Sequence, residues 1–122
     1  MKGDCIGALA LRLKVTDWLG KSDFEKVTKE NGPHLIVFVA KWCGFCSRFI
    51  EQARSYQSQV ELFLVDADEP DESLWDEFSI KIVPTLVVFD KGQILFRRDG
   101  KSMAGLRISD LDDGISQVST AS

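Results

Sequence analysis

Apolar residues recur along the chain with two different periods, and their alternation lays out an α/β domain. From Leu9 to Val15 apolar and basic residues alternate, which predicts a strand with one face in solvent, at a sheet edge where its cations discourage further pairing. Ser22-Asp23-Phe24-Glu25 has a capping-box pattern, so a helix is expected from Ser22 to about Glu30, with Phe24 and Val27 toward the sheet and Asn31-Gly32-Pro33 ending it. Leu35 to Ala40 is an unbroken apolar run rich in β-branched residues, the pattern of a strand buried on both faces. Cys46, Phe49, Ile50 and Ala53 then fall at helical spacing, in a helix expected to reach about Gln57. Val60 to Asp66 reads as another strand, and Pro70, Asp71 and Glu72 open a short helix carrying Leu74, Trp75 and Phe78. Thr85 to Phe89 is a fourth strand, joined by the tight turn Asp90-Lys91-Gly92 to a fifth from Gln93 to Arg98. A last helix starts at Ser109, with Leu111, Ile115 and Val118 on one face, Gly114 weakening it and Thr120 to Ser122 fraying. The order β-α-β-α-β-α-β-β-α predicts parallel neighbours joined by helices and, because of the hairpin, a mixed sheet.

Composition narrows the function. With 122 residues, 44% hydrophobic and 28% charged, the chain is expected to form one soluble domain, residues 1–8 being a loose extension. A net charge of −4 and the lack of a basic run argue against nucleic acid as the main partner. No run is long enough to span a bilayer. The opening Met1 to Leu11 has Lys2 and a short apolar stretch, but Asp4 interrupts the basic start and no convincing cleavage site precedes Arg12. Three cysteines, two of them close together, fit a reducing compartment, so a cytoplasmic location is expected, with Cys5 a bystander; separately, a monomer is expected.

The candidate chemistry lies at Lys41-Trp42-Cys43-Gly44-Phe45-Cys46, between the buried strand and the helix after it. At a helix start, unpaired N–H groups and the positive end of the macrodipole favour a thiolate on Cys43. Cys46 lies one turn on, within reach of a disulfide, so Cys43 reads as an exposed nucleophile and Cys46 as a more buried resolving thiol. Lys41 adds a charge nearby or is simply solvated. Two blander readings stand beside this one: half of a zinc site, for which only Cys5 and His34 remain as further ligands, and a redox-inactive pair used for binding.

Beyond the cysteine motif, Val83-Pro84-Thr85, Asp90-Lys91-Gly92 and Gly100 recur in an order that resembles the thioredoxin family from about Leu11 to Val118. The resemblance implies an α/β thioredoxin fold, with about five strands in a mixed sheet and about four helices. It implies a thiol–disulfide oxidoreductase that reduces protein disulfides, takes electrons from a thioredoxin-reductase-type donor, and needs no cofactor beyond its own Cys43–Cys46 couple. A disulfide oxidase or isomerase and a non-catalytic binding module are the alternatives. It implies too a cis bond between Val83 and Pro84 beside the cysteines, and an apolar substrate collar of Trp42, Gly44, Phe45, Val83, Pro84 and Gly100. On the residues alone, Pro84 also reads as an ordinary strand-initiating proline.

Departures from the family pattern are as informative. Phe45 stands where proline is usual, which is expected to relax the helix start and make the couple less reducing. Val37 and Leu62 occupy the places of the family's buried carboxylate and its lysine partner, so the usual proton acceptor for Cys46 is missing; exchanging both together avoids stranding a buried charge. Glu51 replaces a helix-kinking proline, which predicts a straighter helix. Asp99 stands at an apolar groove position, where it is expected to select basic substrates. Trp18, Trp75 and Tyr56 read as packing residues, and His34 as a surface or capping one.

Overall fold

The computed structural model describes residues 12–67 and 73–121. Its elements are β1 (Lys14–Leu19), α1 (Lys21–Lys29), β2 (Pro33–Val39), α2 (Gly44–Arg54), β3 (Glu61–Asp66), α3 (Ser73–Glu77), β4 (Thr85–Asp90), β5 (Gln93–Asp99) and α4 (Ile108–Ala121). The five strands form one sheet in the order β1-β3-β2-β4-β5. β1 and β2 run parallel to β3, whereas β4 is antiparallel to both β2 and β5. The expected element order and the mixed sheet are therefore both present.

Strand periodicity explains how the core divides. Leu35, Val37, Leu62, Leu64 and Leu86 share one sheet face through the registers Leu35↔Leu62, Val37↔Leu64 and Val37↔Leu86. Ile36, Phe38, Val87 and Phe89 point the other way, where Phe24 of α1 and Phe78, just beyond α3, meet Phe38 and Phe89 in an aromatic cluster with ring centroids 5.3–6.5 Å apart. Every residue from Leu35 to Ala40 is buried, as a central strand covered on both faces requires.

Four local expectations are corrected. β1 begins at Lys14 and runs through Thr16-Asp17; the start of the expected strand, Leu9 to Leu11, lies outside the described residues, and Arg12 makes only an isolated bridge to Gln57. Within β1 the register shifts between Val15 and Trp18, where the Thr16 hydroxyl accepts a hydrogen bond from the Leu64 N–H at 3.0 Å. Helix α1 is capped by Gly20 without a side-chain hydrogen bond, so the capping box at Ser22 does not form. Helix α2 ends at Arg54 rather than near Gln57, the Tyr56 N–H turning back to the Ala53 carbonyl. Gly114 does more than weaken α4: a Cβ there would sit 2.9 Å from Leu86 Cδ2 and 3.0 Å from Leu35 Cδ1, so its missing side chain lets the helix approach the sheet. Cys5, residues 1–8 and the Pro70-Asp71-Glu72 turn lie outside the described residues.

The hairpin is as expected, with Lys91 and Gly92 both at positive φ (55° and 82°), the pattern of a type I′ turn. Where the chain enters α4, the Asp110 carboxylate accepts from the Arg107 N–H at 2.8 Å, and Asp110 and Asp113 both pair with Arg98 of β5.

Candidate active site

β2 delivers the chain to the carboxyl end of the sheet at Val39, and α2 starts five residues later. Cys43 is the N-cap of α2, and its Sγ accepts a hydrogen bond from the Cys46 N–H at 3.1 Å. A sulfur in this position takes up one of the amides that a helix start leaves unpaired, and such a bond strengthens when the sulfur is anionic. The Cys43 thiol also faces the Val83 carbonyl at 3.5 Å. Both cysteines are free thiols. Burial and the hydrogen bond with Cys43 push the Cys46 thiol well above its ordinary pKa, with only the Ala40 backbone acting in the other direction. No carboxylate is among the groups acting on Cys46, and the positions expected to be apolar, Val37 and Leu62, are fully buried.

The Val83–Pro84 peptide bond is cis, and the Val83 carbonyl lies against Cys43. Behind it, the Gly100 N–H donates to the Pro84 carbonyl at 2.9 Å, and a Cβ on Gly100 would fall 2.5 Å from that oxygen. Glycine is therefore required by close backbone approach. Trp42, Gly44, Phe45 and Val83 line one groove of about 380 Å³ with Cys43 at its floor, whereas Pro84 and Gly100 are buried behind it. Gly44 has open space where a Cβ would be.

Cys43 was expected to be exposed, yet only 5% of it is accessible; Cys46 is at 0%. Trp42, 68% exposed, takes the outer position, and the Val83 segment covers the sulfur from the other side. Phe45 is held by Arg48, whose guanidinium lies 5.0 Å from the ring centroid and donates to the Ala104 carbonyl. Its Cβ would clash at 2.8 Å with any Cβ on Gly105, so the phenylalanine and the glycine fit as a pair.

Three further side chains differ from expectation. Trp75 lines the groove and lies parallel to Trp42, with centroids 6.4 Å apart and planes 9° off, so it is a site residue as well as a packing one. Only tertiary folding reveals this, since Trp75 sits on the apolar side of a short helix like any core residue. Asp99 is engaged by Arg97 at 2.6 Å and is not in the groove lining. His34 is mostly buried at the opposite end of β2, against Phe63 and 3.4 Å from Glu30. A strand of that length separates it from the cysteines by roughly 15–20 Å, too far to complete a zinc site with them. Among the described residues no cluster of His, Cys, Asp and Glu is arranged to hold a metal ion. No helix among them is long and apolar enough to cross a membrane.

A sulfur capping a helix, a second cysteine one turn on and a cis-proline segment alongside, on a β1-β3-β2-β4-β5 sheet, define a class of thiol–disulfide oxidoreductases. The family model for Thioredoxin matches residues 15–112. The chain is 35% identical to a thioredoxin of Geodia cydonium over 94 residues, covering 71% of this chain and 87% of that protein. It is 29% identical over 120 residues to a chloroplastic thioredoxin F of Oryza sativa subsp. japonica, covering 93% of this chain but 60% of that protein. Among solved structures, a mutant thioredoxin from Halobacterium salinarum NRC-1 superposes with a TM-score of 0.66 at 25% identity, covering 86% of this chain and 90% of that one. The chain belongs to the thioredoxin family, and with its close cysteine pair it is a thiol–disulfide oxidoreductase.

Proposed function

We propose that the protein reduces disulfides in other proteins, with Cys43 as nucleophile and Cys46 as resolving thiol. The observation that carries this reading is the Cys43 sulfur, bonded by the Cys46 N–H at 3.1 Å and set 3.5 Å from the Val83 carbonyl at the floor of an apolar groove. A substrate segment lies along Val83 as an added strand, and Trp42, Gly44 and Phe45 border it. The Cys43 thiolate attacks one substrate sulfur, forming a mixed disulfide and expelling the other sulfur as a thiolate, which takes up a proton. Cys46 then attacks the Cys43 sulfur; its proton passes to the departing substrate thiolate directly or through water, since valine and leucine fill the positions below. Two electrons reach the substrate, and Cys43–Cys46 is left oxidised for a thioredoxin-reductase-type donor to reduce. Pro84 and Gly100 hold the Val83 segment in place. The protein acts as a monomeric, single-domain enzyme of the cytoplasm, without metal or organic cofactor.

Replacing Cys46 with Ser should trap the mixed disulfide, detected by mass as an adduct to Cys43, whereas Cys43→Ser should give none. Equilibration with a dithiothreitol series decides the direction of net transfer. A potential well below about −200 mV fits a reductase, and one near −120 to −180 mV overturns that in favour of an oxidase or isomerase.

A further inference from the structure

We propose that Trp75 and Lys81 make this groove selective for a disulfide segment that carries an aromatic side chain and a carboxylate within two residues of the attacked cysteine. The inference rests on the reductase reading and names its substrate class.

The Trp75 backbone is anchored to the residues that follow it. The Ile80 N–H donates to its carbonyl at 2.8 Å, Phe78 is packed in the aromatic cluster beneath, and Arg97 reaches the Phe78 and Ser79 carbonyls. Helix α3 is thus tied to the core at its end, and its tryptophan stands parallel to the exposed Trp42 on the same wall of the groove. The stacked indoles and Met103, 85% exposed, give the groove a polarisable lining that suits a planar side chain.

Lys81 supplies the charge. It is exposed, lines the groove two residues before Val83, and makes no ion pair or hydrogen bond among the described residues. Asp99, which the sequence suggested as a selector of basic partners, has its carboxylate occupied by Arg97 and lies off the lining. Among the described residues, the charged side chain that lines the groove is a cation. A segment paired along Val83 alternates its side chains, so neighbours of the attacked cysteine meet the Trp42–Trp75 wall and the Lys81 edge at different positions.

The test is a panel of disulfide-bonded peptides differing at one residue near the cysteine, with Tyr against Gly and Glu against Lys, each reduced by the dithiol form of the protein in single-turnover kinetics. Wild type is expected to favour Tyr about three- to tenfold and Glu about two- to fourfold, the latter fading at high salt. Trp75→Leu should erase the Tyr preference and keep the Glu preference; Lys81→Glu should reverse the charge preference and keep the aromatic one. Because the two variants test separate contacts, misfolding of one leaves the other decisive. Equal wild-type rates across the panel, or preferences that survive both substitutions, overturn the inference while leaving disulfide reduction standing. Failure to reduce any peptide or 2-hydroxyethyl disulfide sinks the reductase reading and this inference with it.

Discussion

The carboxyl end of the sheet and the layer just below it are built on opposite terms. At the end, Cys43, Val83, Pro84 and Gly100 are coupled by backbone hydrogen bonds and close approaches that leave little choice of residue. Lower in the core, Val37 and Leu62, which the resemblance sets at the places of a buried ion pair, are as buried and apolar as their neighbours Leu35 and Leu64. Geometry at the sulfur is therefore bound to particular atoms, whereas the layer beneath can be exchanged if both members change together and no charge is left stranded.

The strongest test of the upper layer is Cys43→Ser, expected to lower disulfide reduction by on the order of 10³ or more; an insulin-disulfide assay at the wild-type rate would show that the pair is not the reacting centre. In the lower layer, Val37→Asp should cost about 3–5 kcal/mol in urea unfolding, because the new carboxylate is buried without a partner. Adding Leu62→Lys should recover part of that loss, and two losses that simply add would mean the positions are not coupled. Gly100→Ala places a methyl against the Pro84 carbonyl and should cost about 1–3 kcal/mol, with a matching loss of rate; unchanged stability would deny the close approach.

The pH dependence has a definite sign. Burial and Cys43 raise the Cys46 pKa in the folded state, so above the unfolded thiol value of about 8.5 the unfolded chain loses a proton that the folded one keeps. Stability of the reduced protein is therefore intact below that pH and falls above it, by at most about 1.4 kcal/mol per pH unit. Urea midpoints compared at pH 7 and 9.5 for reduced wild type and Cys46→Ser should show a smaller fall in the variant. The smallest effect is at Gly114. Helix propensity alone predicts that Gly114→Ala stabilises by up to about 1 kcal/mol, but contact with Leu86 and Leu35 should cancel that gain. A full gain would show that the helix has room to spare.

Much of this molecule is written locally. The buried run Leu35 to Ala40, the helical spacing of Phe49, Ile50 and Ala53, and the Asp90-Lys91-Gly92 turn each announce their structure, because periodicity and turn chemistry act within a few residues. The cysteine spacing, together with Val83-Pro84-Thr85 and Gly100, likewise points to the site before any fold is known. What short-range pattern cannot carry is which distant groups meet. At the β1 register shift a Thr16 hydroxyl meets the Leu64 amide, and the value of Gly114 depends on two leucines from other strands. Trp75 becomes part of the groove only because Phe78 and Arg97 fix α3 beside Trp42. Local pattern thus set the elements and the reactive pair. The near-complete burial of Cys43 and the second tryptophan at the site came from folding alone, since each follows from packing between segments far apart in the chain.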